Sequence, residues 1–233
     1  MHAGTAGCSH FLNPYRGQVM STPRTSGATA PELAYEWLKK TIITLPRDEE
    51  MFLSEAQVAA SSGISRTPVR EALMRLEAEG FIRRVPHKGA YIPALSDSDV
   101  EAVMQARRVV EEWSVNEVAP DPGLVPDRLR TLLEKQENDV DPVDFIAHDL
   151  EFHTTILRAA CNPLMNDFYS SLRDRQMRMG VRIVMADETR KKQVLIEHSA
   201  IADAIAAKDA EAAVRAVREH LETTLRSMKA PNL

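Results

Sequence analysis

From Pro31 to Leu45 the side chains Leu33, Trp37, Leu38, Thr41 and Ile42 recur at the three- and four-residue spacing of an amphipathic helix, and Pro46 follows its end. Ser54 opens a second helix as N-cap, with Gln57 three residues on as in a capping box, and Gly63 ends it. A third helix starts at Ser65, sets Val69, Ala72, Leu73 and Leu76 on one face and stops at Gly80. Pro68 is tolerated because it falls in the first turn, where its missing N–H has no intrahelical partner to lose. After Gly80 the pattern shortens, and Phe81-Ile82 and Ala90-Tyr91-Ile92 read as two strands around the turn Pro86-His87-Lys88-Gly89. Helix, helix-turn-helix and hairpin together predict a winged helix-turn-helix over residues 31–95, with three helices and a β-hairpin wing. Beyond it the pattern is helical throughout, with starts at Ser96 or Asp97, Pro126, Pro142, Asn162-Pro163, Asp187 and Asp209. The expected fold is therefore mainly α. Residues 96–233 should form an all-α antiparallel bundle of six helices, or seven should a boundary hide a short one.

Residues 1–30 are rich in Gly, Ser, Thr and Pro without apolar periodicity, so they bury too little surface to offset the entropy of ordering and are expected to be a disordered tail. Met20 offers an alternative start. The composition of the 233 residues, 44% hydrophobic and 27% charged with 5% aromatic, is that of a globular chain inclined to helix. No run approaches the roughly 18 consecutive apolar residues of a membrane helix, and no signal peptide is visible, so a cytoplasmic protein without a membrane partner is expected. Cys8 and Cys161 are far apart and form no CxxC pair, which argues against a disulfide framework and a thiolate zinc site.

A net charge of −5 argues at first against nucleic acid, but it is unevenly placed. Residues 31–95 carry nine basic and nine acidic side chains, whereas 96–233 carry 18 basic and 25 acidic. Within 65–88, Arg66, Arg70, Arg75, Arg83, Arg84 and Lys88 outnumber three acids, making a local basic patch. The third helix of a helix-turn-helix leads with its N-terminal residues into the major groove, so its outward positions Arg66, Thr67, Arg70 and Arg75 become candidate DNA contacts. The planar fork of arginine can grip guanine O6 and N7 together or a phosphate, and Thr67 can bond a phosphate. The wing tip, His87-Lys88-Gly89, is placed to reach the adjacent groove or backbone. On an arbitrary helix such arginines would be no more than solvated charge.

The full string changes that balance. Ser65-Arg66-Thr67-Pro68-Val69-Arg70-Glu71-Ala72-Leu73, followed by Leu76-Glu77-Ala78-Glu79-Gly80-Phe81-Ile82, resembles the recognition-helix signature of GntR-family regulators. The resemblance implies DNA contacts at Arg66, Thr67 and Arg70, and its wing-tip glycine matches Gly89 in Lys88-Gly89-Ala90-Tyr91-Ile92. Two positions depart from it: Ala56 stands where many relatives carry an arginine after Ser-Glu, and Arg47-Asp48-Glu49-Glu50 replaces the usual Pro-Gly turn.

In the second half, helical-wheel geometry at about 100° per residue puts several polar side chains on apolar faces, where an unpaired group is costly. Asp149 and His153 lie inside the arc of Phe145, Phe152, Ile156 and Leu157; His198 sits among Val194, Leu195, Ile201, Ala202 and Ile205; His220 borders Ala213, Ala216, Val217 and Thr224. Arg107 falls among Val100, Val103, Met104, Val110 and Ser114. Each histidine taken singly reads as a hydrogen-bonded core residue. Three imidazoles and a carboxylate converging in one bundle would suit zinc, nickel or manganese with coordination positions left open. Asp149-Leu150-Glu151-Phe152-His153, Glu197-His198 and His220-Leu221 are similar to the metal-binding motifs of FCD-type effector domains. That resemblance implies metal ligands at Asp149, His153, His198 and His220, an effector carboxylate at Arg107, and a homodimer on a palindromic operator in double-stranded DNA. Six helices instead of seven point to the VanR-like branch. The expected function is a regulator, in the sense of a repressor, responding to a small carboxylic acid.

An enzyme is the main rival, since His148-Asp149 is the HD dipeptide of helical phosphohydrolases. His148 turns away from the Asp149–His153 axis on the wheel, and the nearest upstream histidine, His87, belongs to the wing. No phosphate-binding glycine loop or Gly-x-Ser-x-Gly is present. A third reading is a constitutive DNA binder with a structural metal, in which Arg107 merely pairs with Glu111 one turn away.

Overall fold

The computed structural model describes residues 27–85, 89–186 and 188–229. The expected tail lies almost wholly outside the described residues, as do His87, Lys88 and the helix start at Asp187. The fold is mainly helical, with one small antiparallel sheet in the N-terminal part.

Helix α1 (Ala30–Thr44) is followed by strand β1 (Met51–Leu53), α2 (Glu55–Ser62), α3 (Arg66–Ala78), β2 (Arg83–Val85) and β3 (Gly89–Ile92). Ser54 caps α2 as its spacing predicts: the Gln57 N–H donates to Ser54 Oγ at 3.1 Å, and the Ser54 N–H donates to Gln57 Oε1 at 2.9 Å. Gly63 closes the helix in the left-handed region at φ 71°. Ala34, Leu38, Ile42, Val58, Val69, Leu73, Leu76 and Ile92 form one core beneath the three helices and the sheet.

Two details differ from the sequence pattern. The first strand of the wing is Arg83–Val85, not Phe81-Ile82. Gly80 adopts φ 79° and the Phe81 N–H donates to Leu76 O at 3.0 Å, so this apolar pair belongs to the helix stop, with Ile82 buried in the core. The sheet also has a third strand, β1, at its edge in the order β1-β3-β2, with Met51 opposite Ile92 and Arg83 opposite Tyr91. Three residues are too few to show a period of two, and β1 is a strand because β3 supplies its hydrogen bonds.

The C-terminal part comprises α4 (Asp97–Val118), α5 (Val125–Glu137), α6 (Pro142–Ala159), α7 (Pro163–Ala186), α8 (Glu188–Ala206) and α9 (Ala210–Met228), six helices among the described residues. Ser96, Asp141 and Asp209 cap α4, α6 and α9 through their side-chain oxygens. Helix α4 packs against α6, α7 and α9, and α8 against α5 and α9. Val100, Phe152, Ile156, Ile201, Ile205 and Val217 form the central core. Helix α7 also lies against α1, and Arg47 pairs with Asp97 at 2.9 Å across the junction between the two parts. Among the described residues no helix is long and apolar enough to cross a membrane.

Candidate nucleic-acid interface and metal centre

The apolar stripe Val69, Ala72, Leu73, Leu76 pins α3 to the core and leaves Arg66, Thr67 and Arg70 exposed on one outward face. Arg70 is gripped by Glu55 at the start of α2, with Nε and Nη2 donating to its two carboxylate oxygens at 2.9 and 2.8 Å. The pair holds the Glu55 carboxyl below its ordinary value, through its hydrogen bonds first. It presents the guanidinium at the helix surface, near the exposed Ala56. Arg75 is not brought to the same face. Nine residues on from Arg66, it is half a helical circuit away at about 100° per residue. Its guanidinium lies 3.8 Å from the Tyr35 ring centroid and pairs with Glu79 at 3.0 Å, which ties α3 to α1.

Gly89 opens β3 opposite Val85 at φ 112°, a conformation side chains rarely adopt. A Cβ there would lie 2.2 Å from Leu53 O, so the glycine is what lets β1 and β3 close together. Gly89, a wing-tip candidate for DNA contact, thus has a duty inside the sheet.

In the bundle, α6 contributes Asp149 and His153 one turn apart, α8 contributes His198 and α9 His220. All four are buried, and their ligand-type atoms lie within 4.8 Å of one another. Each imidazole has a polar neighbour behind it. His153 Nδ1 is 2.9 Å from Glu111 Oε2, His198 Nδ1 is 3.1 Å from Gln136 Oε1, and His220 Nδ1 is 2.8 Å from Glu197 Oε2. Gln136 Nε2 donates to Phe145 O at 3.2 Å, which turns the amide oxygen toward His198 and makes His198 Nδ1 the donor. In His198 and His220, Nδ1–H donates outward and Nε2 turns its lone pair inward. All three Nε2 atoms are buried without a hydrogen-bond partner, that of His198 lying 3.3 Å from Asp149 Oδ1. The Phe152 ring stacks on His198 at 4.3 Å, fixing its plane. Burial first, then the neighbouring imidazoles and Arg107, hold His198 and His220 well below the ordinary histidine range, in the neutral form a metal requires. Burial raises the Asp149 carboxyl, against the pull of His153 and Arg107. Three inward imidazole nitrogens and one carboxylate fit a borderline divalent ion such as zinc, nickel or manganese.

Arg107 is buried on α4, its Nε donating to Glu111 Oε1 at 2.7 Å while Nη2 has no partner. Glu111 also accepts from Tyr169 Oη at 2.7 Å. Burial works against the Glu111 charge, yet Arg107 and His153 hold its carboxyl well below the usual range. A cavity beside the four candidate ligands is lined by Arg107, Asp149, Gln176, Arg190, His220 and Thr224, among others. Arg190 is satisfied there by both Glu197 oxygens and by Thr224, whereas neither polar atom of the Gln176 amide has a partner. Gln136, Tyr169, Gln176 and Arg190 escaped the sequence reading. A polar residue on the apolar face of 125–137 was the available sign for Gln136; nothing local marks the others. His148 is turned away, as expected, onto Asp139 at 2.6 Å.

Residues 32–92 match the model of the bacterial regulatory proteins of the gntR family, and residues 102–223, more than half of the chain, match the FCD domain. A regulator described as an HTH-type transcriptional regulator in an unstable DNA locus of Streptomyces ambofaciens is 28% identical over 203 residues, covering 85% of this chain and 84% of that protein. The gluconate operon transcriptional repressor of Bacillus subtilis is 26% identical over 213 residues, covering 85% and 84%. A solved GntR-type regulator from Rhodococcus superposes with TM-score 0.71 at 23% identity, covering 86% of this chain and 98% of that one, and so shares the fold. The matched families and relatives are regulators of transcription rather than enzymes. With an N-terminal DNA-binding region of one family model and a C-terminal domain of the other, the chain belongs to the GntR family of bacterial transcription regulators, as a member with an FCD domain.

Proposed function

We propose that this regulator is a homodimeric repressor of a palindromic operator, controlled by a small carboxylate that binds at a divalent metal in the helical domain. Residues 31–95 read DNA through Arg66, Thr67 and Arg70, with His87, Lys88 and Gly89 at the wing and Arg75 bracing α3. Residues 96–233 bind the effector and carry the dimer contact. Six helices among the described residues favour the VanR-like branch.

One observation supports the reading: three buried imidazoles converge with Asp149, and none of their Nε2 atoms has a hydrogen-bond partner. A buried polar atom without a partner is costly, and three converging ones call for a ligand that accepts lone pairs. Asp149, His153, His198 and His220 would hold the metal, which supplies open positions for carboxylate oxygens. The free Nη2 of Arg107 supplies the counter-charge in the adjoining cavity. Effector binding then shifts the balance between two arrangements of the DNA-reading units. The gluconate operon relative makes gluconate a first acid to try.

Elemental analysis of purified protein tests the site: about one divalent ion per chain is expected, lost in the His198→Ala, His220→Ala double variant. Unchanged metal content in that variant would remove these residues from the site.

A further inference from the structure

Arg178 stands near the middle of α7 and is buried, yet its donors serve the other half of the molecule. Nε donates to Leu45 O at 3.3 Å, Nη1 to Pro93 O at 2.8 Å, and Nη2 to Pro46 O at 3.1 Å and Glu49 O at 2.8 Å. The first segment reached, 45–49, joins α1 to β1; the second, at Pro93, leads from β3 toward α4. A guanidinium offers five N–H donors in one rigid plane, so four carbonyls from two separate stretches are satisfied together only in one relative placement. Burying the charge disfavours it, and Asp48 only partly restores it. A buried cation stripped of some of these carbonyls would be left under-solvated, so the contact is held or lost as a unit.

The neighbours of Arg178 on α7 face elsewhere. Gln176 and Gly180, two residues to either side and thus about 200° around the helix, line the cavity beside Arg107 and His220. At Gly180 the helix comes so close to α6 that a Cβ would lie 3.0 Å from Ile146 Cδ1. One short stretch of α7 therefore touches the cavity on one side and the winged helix on the other.

We propose that Arg178 is a positioning residue for DNA binding: it locks the winged helix onto the helical domain in one orientation, and α7 is the lever through which filling of the cavity displaces that lock. The proposal stands on these contacts whether the occupant of the cavity is a carboxylate or not.

The test places spin labels at Met74→Cys on α3 and Val140→Cys between α5 and α6, both exposed, in the full chain with Cys8→Ser and Cys161→Ser. Labelled protein is diluted with unlabelled chain, and the within-chain distance is read by double electron–electron resonance. The parent should give one narrow distribution. Arg178→Met should broaden it or move its peak, and Arg178→Lys, a point charge unable to span four carbonyls, should do so less. Gly180→Leu, which wedges α7 against Ile146 at the wall of the cavity, should move the peak while Arg178 is present and add nothing in Arg178→Met. A folded Arg178→Met with the parent distribution, even if its melting temperature falls, overturns the lock. Should Arg178→Met lose its helicity, an unchanged distribution in Arg178→Lys does the same. A folded Gly180→Leu with no displacement overturns the role of α7.

Discussion

If the proposed site holds a metal, adding a divalent ion to chelator-treated protein should stabilise it, because three buried imidazole nitrogens have no hydrogen bond to lose. Without an ion, His153, His198 and His220 each keep a buried Nε2 with no hydrogen bond, while Gln136 and Glu197 hold the last two rings from the Nδ1 side and Glu111 Oε2 lies 2.9 Å from His153 Nδ1. An unmade bond at a buried polar atom costs about 1–3 kcal/mol, so the three leave roughly 3–9 kcal/mol for a ligand to recover. Mass action limits how much of this appears: metal at a hundredfold over its dissociation constant adds about 2.7 kcal/mol. For a chain of this size each kcal/mol moves the melting midpoint by about 2–4 °C, so the expected rise is roughly 5–11 °C. The assay is thermal unfolding of chelator-treated protein titrated with zinc, nickel or manganese, alongside His198→Ala. The parent should show the rise and His198→Ala should lose most of it. A parent whose midpoint does not move with any of the three ions would refute the reasoning, because the inward nitrogens would then be satisfied in some other way.

Alanine at Arg66 or Arg70 should weaken binding to a duplex selected from a random pool by about 1–3 kcal/mol each, roughly 5- to 150-fold in Kd. Gel shift at physiological salt checks this, and parental affinity in both variants would dismiss α3 as the reading helix. Gly89→Ala should lower stability by about 1–3 kcal/mol in urea unfolding, since its Cβ would press on Leu53 O from a strained backbone; an unchanged midpoint would contradict the close approach of β1 and β3. Arg107→Ala should abolish calorimetric binding of the proposed small carboxylate effector while the metal content stays at the parental level. Undiminished affinity in the folded variant would reduce Arg107 to a brace for Glu111.

Much of this molecule is set by local chemistry and is therefore legible in the chain itself. Ser54 with Gln57, Ser96 with Asp99, and Gly63 and Gly80 at helix ends act within a turn of their own position, so the helix boundaries follow from short-range pattern. The inward polar residues Asp149, His153, His198, His220 and Arg107 were visible because a helix face is periodic, and a charged or imidazole side chain breaks an apolar stripe. Whether those side chains meet depends on how α6, α8 and α9 pack, and only the tertiary structure brings their ligand atoms within 4.8 Å. The same holds for what surrounds them. Gln136 reaches His198 across 62 positions of sequence and Tyr169 reaches Glu111 across 58, separations over which no local pattern operates. Strand β1 exists because β3 lies beside it, and what Arg75 meets, the Tyr35 ring on α1, is decided by how α3 packs on α1. Arg178 is one more arginine on a long helix until folding carries the carbonyls of 45–49 and Pro93 around it. Local pattern fixes the helices and which of their faces are inward; long-range packing, which closes loops that no short window spans, decides which of those faces meet and where short strands such as β1 form.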